Sequence, residues 1–233
     1  MNKDEFVSEL NKLNIDINDY KIQQLDKYCE LLIQENKKYN LTAIIDEKDI
    51  YLKHFYDSLT ITKIIDISNQ SLCDMGTGAG FPGLVLKIVF SELNITLIDA
   101  TKKKCDFLKL VVNELGLKNV NIINSRVEEY ARNNRELFDI VTARAVAPLK
   151  HLLEYGIPLL KVNGYFIPLK GRVEDELNDI DNYYNALNVK LDDIIEFDLP
   201  FEFSKRTIIK FEKLRKTDVK YPRRYNEIKK NKI

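Results

Sequence analysis

Apolar positions divide the chain in two near residue 65. Before that point they recur at helical spacing. Phe6, Leu10 and Leu13 fall on one face of a short helix. Ile22, Leu25, Cys29, Leu32 and Ile33 line a second helix, for which Asn18 or Asp19 is the expected N-cap. A third is expected from Asp46 onward, carrying Ile50, Leu52, Phe55, Leu59 and Ile61. No glycine precedes Gly76, which fits helices joined by short polar turns.

From Ser71 short apolar runs alternate with amphipathic segments. The runs predict strands at Leu72–Met75, Ile95–Asp99, Val120–Asn124, Phe138–Ala143 and Gly164–Lys170, with helices over 82–92, 102–115, 148–160 and 173–188. Such alternation builds βαβ units, and so a parallel, doubly wound sheet. Ile194–Leu199 and Thr207–Phe211 read as strands with no helix between them, an antiparallel hairpin closing one edge. The predicted fold is α/β and Rossmann-like, with seven strands. Residues 1–65 form an N-terminal helical extension, 66–214 the core and 215–233 a basic C-terminal tail.

Composition narrows the class. The chain has 233 residues, 45% of them hydrophobic, enough for a buried core rather than a disordered chain. No apolar run approaches the ~20 residues of a membrane span, and MNKDEF is not the start of a signal peptide. A soluble, cytoplasmic protein that does not meet a membrane is expected. Cys29, Cys73 and Cys105 are scattered, with no CxxC and two histidines in all, which argues against a disulfide scaffold or a metal site. Net charge is zero, yet 213–233 carries nine basic residues against two acidic ones. A basic tail on an acidic body fits a polyanion partner, and equally a frayed, solvated terminus.

The chemistry begins after the first strand, in Asp74-Met-Gly76-Thr-Gly78-Ala-Gly80-Phe81-Pro-Gly83. Glycines there let backbone approach a ligand. Gly78-x-Gly80-x-x-Gly83 also satisfies the dinucleotide fingerprint, so an NAD-type oxidoreductase stays open on spacing alone. Asp74 favours the other reading, because it would repel a pyrophosphate and attract the ammonium of a methionine moiety. Asp99, ending the second strand, is placed to accept the ribose hydroxyls of a nucleoside cofactor. Ser125-Arg126-Val127-Glu128, after the third, either meets an adenine or caps a helix through Ser125 and Glu128, or both.

These residues carry a family likeness. Asn40-Leu-Thr, Lys53-His54-Phe-Tyr-Asp57-Ser-Leu, Asp74–Gly83, Ser125-Arg-Val-Glu128, Thr142-Ala-Arg144-Ala and Leu169-Lys170-Gly171 occur in order along nearly the whole chain. The set resembles the bacterial 16S rRNA guanine-N7 methyltransferase G family, also called glucose-inhibited division protein B. The resemblance implies a methyltransferase core dependent on S-adenosylmethionine (SAM). It implies methylation of a guanine in the decoding-region loop of 16S rRNA, within the small ribosomal subunit or its assembly intermediate; a monomer is expected. It carries cofactor contacts over to Gly76, Phe81, Asp99, Val127, Glu128 and Arg144, to which the reading of the glycine loop adds Asp74, Gly78 and Gly80. A non-catalytic RNA-binding module that keeps SAM is the other alternative.

Guanine N7 carries a free lone pair, so methyl transfer needs positioning rather than a general base. No residue is therefore assigned as acid or base. Arg144, Lys170, Asn40 and His54 are positioning candidates, while Arg126, Lys170, Arg172, Arg223 and Arg224 are candidates for gripping RNA. Each has a plainer alternative: a surface ion pair for Arg126, an interface histidine paired with Asp57 for His54, a helix C-cap for Asn40, and the start of a charged helix for Lys170 and Arg172. Cytosine-C5 chemistry would need a cysteine after the fourth strand, and amine methylation an Asn/Asp-Pro-Pro-aromatic turn. The chain has Ala147-Pro148-Leu149 there.

Overall fold

The computed structural model describes residues 1–230. Helix α1 (Lys3–Lys12) opens with a reciprocal capping box between Asn2 and Glu5. Helix α2 (Asp19–Tyr39) starts where the Asn18 side chain accepts from the Lys21 amide, and ends with Asn40 in the left-handed region. The third helix is irregular. It opens as α3 (Glu47–Asp49), widens into a π segment (Ile50–Tyr56), returns as α4 (Asp57–Leu59) and tightens into a 3-10 turn (Thr60–Lys63).

Seven strands follow, in spatial order β3-β2-β1-β4-β5-β7-β6. They are β1 (Ser71–Met75), β2 (Asn94–Asp99), β3 (Val120–Asn124), β4 (Phe138–Arg144), β5 (Leu160–Lys170), β6 (Val189–Asp198) and β7 (Lys205–Lys213). β1 to β5 pair in parallel, and β7 lies antiparallel between β5 and β6. The strand order reverses between β1 and β4, where doubly wound sheets bind ligands.

Helices α5 (Gly83–Val89) and α6 (Lys102–Glu114) cover one face together with the N-terminal helices. The other face carries α7 (Val127–Asn133), α8 (Leu149–Gly156), α9 (Glu174–Leu177) and α10 (Asp181–Leu187). Period-two alternation assigns neighbouring strand residues to opposite cores, with Leu72 in the first and Cys73 in the second. Leu25, Tyr28, Phe55 and Leu59 share one cluster with Leu72, Leu84 and Leu97, so the N-terminal helices and the sheet bury the same apolar surface.

Three expectations change in detail. The helix expected over 173–188 is two short ones, broken across 178–180, where Asn178 and Asp179 are residue types disfavoured in a helix interior. Helix α7 is not expected from periodicity, being only two turns with Val127 and Ala131 buried. It has no Ser125–Glu128 capping box: Arg126 is the N-cap, and the Ser125 hydroxyl donates to the Arg126 carbonyl.

The tail does not fray within the described residues, and 231–233 lie outside them. Arg135 donates to the carbonyls of Thr217 (2.7 Å), Asp218 (3.1 Å) and Tyr221 (2.6 Å). Arg223 then pairs with Glu154, a fully buried carboxylate on α8. Tyr225 opens α11 (Tyr225–Lys230) and packs against His151, with ring centroids 5.2 Å apart. The tail thus climbs α8 from the amino edge of the sheet toward the carboxyl edge. Arg223, expected to face RNA, is used for docking. Glu154→Ala should cost about 3 kcal/mol by removing the buried carboxylate on which Arg223 docks. Urea denaturation measures the loss, and trypsin should cut the variant faster within 215–230; an unchanged midpoint and digest would contradict the docking.

Candidate active site

The glycine loop follows β1 directly. Thr77 and Gly78 are pinned to β2, the Thr77 amide by the Ile98 carbonyl and the Gly78 amide by Asp99 Oδ2, each at 3.0 Å. Gly76 has φ +65°, a left-handed backbone that favours glycine, and a Cβ there would lie 2.7 Å from a Val146 methyl, which would have to shift. Gly83 opens α5 and donates its amide to Asp74 Oδ2 at 2.8 Å. It therefore serves helix–strand packing rather than ligand approach.

Asp74 is completely buried. Its Oδ2 accepts from the Thr77 hydroxyl (2.6 Å) and from Gly83, while Oδ1 has no partner. Burial pushes the carboxyl up to about 6, against the pull of those two donors. A buried acceptor with no donor in the protein fits a ligand that brings one, and the ammonium of SAM does. Asp99 Oδ1 accepts from the Thr101 amide at 2.8 Å and Oδ2 from Gly78. A carboxylate offers about four acceptor sites, so two remain for ribose hydroxyls. Ser125 to Glu128 lie beside Asp99, joined through the Ser125 amide to the Asp99 carbonyl (3.2 Å). Asp74, Asp99, the loop and Val127-Glu128 thus gather at the carboxyl edge as expected.

Arg144 ends β4 but turns toward the N-terminal helices. Its guanidinium donates to the Lys53 carbonyl (2.9 Å), Asp57 Oδ2 (3.0 Å) and His54 Nδ1 (3.1 Å), and lies 5.3 Å from the Phe81 ring centroid. Asp57 Oδ1 takes a second arginine, Arg206 Nε, at 2.9 Å. The predicted His54–Asp57 pairing is not made, because both residues meet Arg144 instead. Since His54 Nδ1 accepts from Arg144, Nε2 carries the hydrogen and donates to Thr42 Oγ1 at 2.9 Å. Burial and the Arg144 charge drive its pKa down to about 3, so the imidazole is neutral at working pH. Its ring stacks on Phe81 at 4.2 Å. The π segment makes this possible, carrying Lys53 and His54 on the turn that faces β4.

A cleft of about 350 Å³ opens beside this network, lined by Arg144, Arg206, Lys170 and His54 among apolar walls that include Ile44 and Leu169. Lys170 is fixed by Glu176 (2.6 Å) and the Ala147 carbonyl (3.2 Å). Arg172 is exposed and faces a separate shallow groove with Glu196 and Asp198. Arg126 is 68% exposed and only 3.6 Å from Glu128. Asn40 is the left-handed C-cap of α2, in line with its plainer alternative. Arg206 is absent from the residues expected on sequence grounds. The available signal is topological, since a strand antiparallel to β5 begins at the carboxyl edge, and Thr207 pairs with Lys170.

The strand order, glycine loop and paired carboxylates define a methyltransferase core. Solved structures agree on the fold: M. jannaschii TYW2 in complex with AdoMet (TM-score 0.58, 16% identity, 74% of this chain and 80% of that one) and an Aquifex aeolicus SAM-dependent methyltransferase (0.54, 17%, 77% and 98%). The family profile GidB, rRNA small subunit methyltransferase G, matches residues 21–202. Ribosomal RNA small subunit methyltransferase G of Lactococcus lactis is 43% identical over the full length of both chains, and that of Fusobacterium nucleatum 44% over 95% of this chain and 96% of its own. The chain belongs to the rRNA small subunit methyltransferase G family. It is a methyltransferase, and neither the oxidoreductase nor the non-catalytic alternative stands.

Two outcomes test the site. Asp99→Ala should weaken SAM binding roughly ten- to a hundredfold, about 1.5–3 kcal/mol, and unchanged calorimetric affinity in the folded variant would remove Asp99 from the ribose. Free Asp74 is held above its ordinary range, so its ionised form, which attracts the ammonium, is lost as pH falls through about 6. SAM affinity should therefore drop below that pH and be flat in Asp74→Asn; parallel profiles would contradict the pairing.

Proposed function

We propose that the protein transfers a methyl group from SAM to N7 of a guanine in the decoding-region loop of 16S rRNA. Family membership supports the rRNA substrate. The lining of the cleft supports the base, and it is the observation that carries the reading. Lys170 and Arg206 present only donors into the cleft. The Hoogsteen edge of guanine offers O6 as an acceptor beside N7, whereas adenine places an amino donor there. The Asp57 carboxylate that also lines the cleft is taken up by Arg144 and Arg206, so these cations can hold guanine through O6 and leave the N7 lone pair free.

Bound SAM supplies an electrophilic methyl carbon. The protein's own residues orient the base, exclude water and keep protons where they are. His54 serves this as an ordering element, because its two nitrogens are committed to Arg144 and Thr42. Asp57 and Glu176 balance the positive charge of the pocket wall while the ring acquires charge on methylation.

RNA is held by cations around the carboxyl edge. Lys37 and Lys38 at the end of α2, and Lys102 and Lys103 at the start of α6, are exposed about Tyr39, with the Lys103 ammonium 5.9 Å from that ring. An exposed aromatic among lysines suits an unpaired base and its phosphates. On the docked tail Arg224, Lys229 and Lys230 remain exposed, as does Arg126 at the start of α7.

Mapping methylated nucleosides by mass in 16S rRNA, from cells with and without the protein, is the test. Loss of one N7-methylguanine from the decoding-region loop is expected; an unchanged rRNA map would sink the reading. Replacing Arg224, Lys229 and Lys230 with Ala should flatten the log–log salt dependence of RNA binding by about 2, at ~0.7 per phosphate contact, while leaving SAM affinity unchanged. An identical slope would assign the grip to the Lys37–Lys103 patch instead.

A further inference from the structure

The glycine loop is held from outside the sheet as well as from within it. Tyr28, in the middle of α2, is completely buried, and its hydroxyl donates to the carbonyl of Ala79, inside the loop. Its ring packs against both Phe55 and Phe81, each centroid 5.5 Å away with interplanar angles of 27° and 24°, and those two rings also meet each other at 6.2 Å. Phe81 is itself covered on another side by His54 at 4.2 Å. A run of rings thus joins α2 and the π segment to the loop residues Ala79–Phe81.

Position 80 shows how tightly the two parts are matched. Gly80 has φ +106°, and a Cβ there would stand 2.5 Å from the Tyr28 hydroxyl oxygen. The loop passes so close to α2 that no side chain fits between them. Burial pushes the Tyr28 hydroxyl well above its ordinary range, which keeps it protonated as a donor.

We propose that Tyr28 is a positioning residue for the cofactor: its hydroxyl fixes the Ala79 carbonyl, and with it the backbone that SAM lies against. The N-terminal helices are then part of the cofactor site. The proposal rests on the SAM reading above. It does not concern the methylated base. The side chain needs no contact with SAM to act, since Ala79 lies between loop residues pinned to β2 and the start of α5.

Tyr28→Phe removes one oxygen and keeps the ring stack, so it isolates the hydroxyl. In the full-length enzyme the dissociation constant for SAM, measured by calorimetry, should rise about three- to tenfold, the worth of one buried hydrogen bond. The rate at saturating SAM should stay within about twofold, because the bound loop reaches the same geometry. The stabilisation that SAM confers in thermal unfolding should shrink in step. A merely structural hydroxyl behaves differently. It lowers the melting temperature of the SAM-free variant while leaving both SAM affinity and the SAM-induced shift as in the wild type, and that result would overturn the proposal. Phe55→Leu serves as the comparison, since it disturbs the same ring stack without touching the Ala79 carbonyl; an equal loss of affinity there would also overturn it. Failure of the wild-type enzyme to bind SAM would sink the cofactor reading instead.

Discussion

One buried carboxylate fastens three parts of the molecule. Asp57, from the N-terminal helices, receives Arg144 from the end of β4 and Arg206 from the start of β7. Two guanidinium groups facing one another across a cleft would repel unless an anion lay between them. Asp57 supplies it at 3.0 and 2.9 Å, in a site where water screens little. Removing it would strand two partly buried positive charges, so the cleft depends on this residue more than on the groups that face substrate. The same arginine that binds Asp57 also settles the state of His54, by donating to Nδ1. Charge pairing, tautomer and pocket shape are therefore one arrangement.

The cofactor side follows a parallel logic. Backbone amides of the glycine loop and the following turn are satisfied by Asp74 and Asp99, which are themselves buried at the ends of β1 and β2. The amides of Thr77, Gly78, Gly80, Phe81 and Gly83 are used internally, which holds the loop, while Asp74 Oδ1 stays open as an acceptor. Phe81 belongs to both halves, stacked on Tyr28 and His54 and lying under Arg144. Cofactor loop and base cleft share that ring as a common wall.

Much of this is legible in the sequence, for reasons that differ from element to element. The parallel strands stand out because each is a short apolar run, and several end in Gly, Asp or Asn at the carboxyl edge. The expected bounds of β3 coincide with the observed ones. Asp74, Asp99 and the glycines follow from local spacing, which makes them readable from the sequence alone. The partners of Arg144 are not, since Lys53, His54 and Asp57 are about ninety residues away in sequence and come together only through the π segment. Nothing local distinguishes Arg206 from any other arginine at a strand start. Arg223 and Lys170 read as RNA contacts because a sequence shows charge and hides its partner; Glu154 and Glu176 claim them. The tail is as basic as its composition says, yet much of it is docked. Tyr28 reads in the sequence as one more core position of an amphipathic helix.

On the proposed N7 reading, what this network positions is a nucleophile that needs no base. Single-turnover methylation of isolated small subunits, at saturating SAM, should show no unit-slope ascending limb between about pH 6.5 and 9. His54→Gln should lower the rate by loosening Arg144 without changing the shape of that profile. An ascending limb near neutrality that disappears in His54→Gln would contradict the claim and make His54 the base.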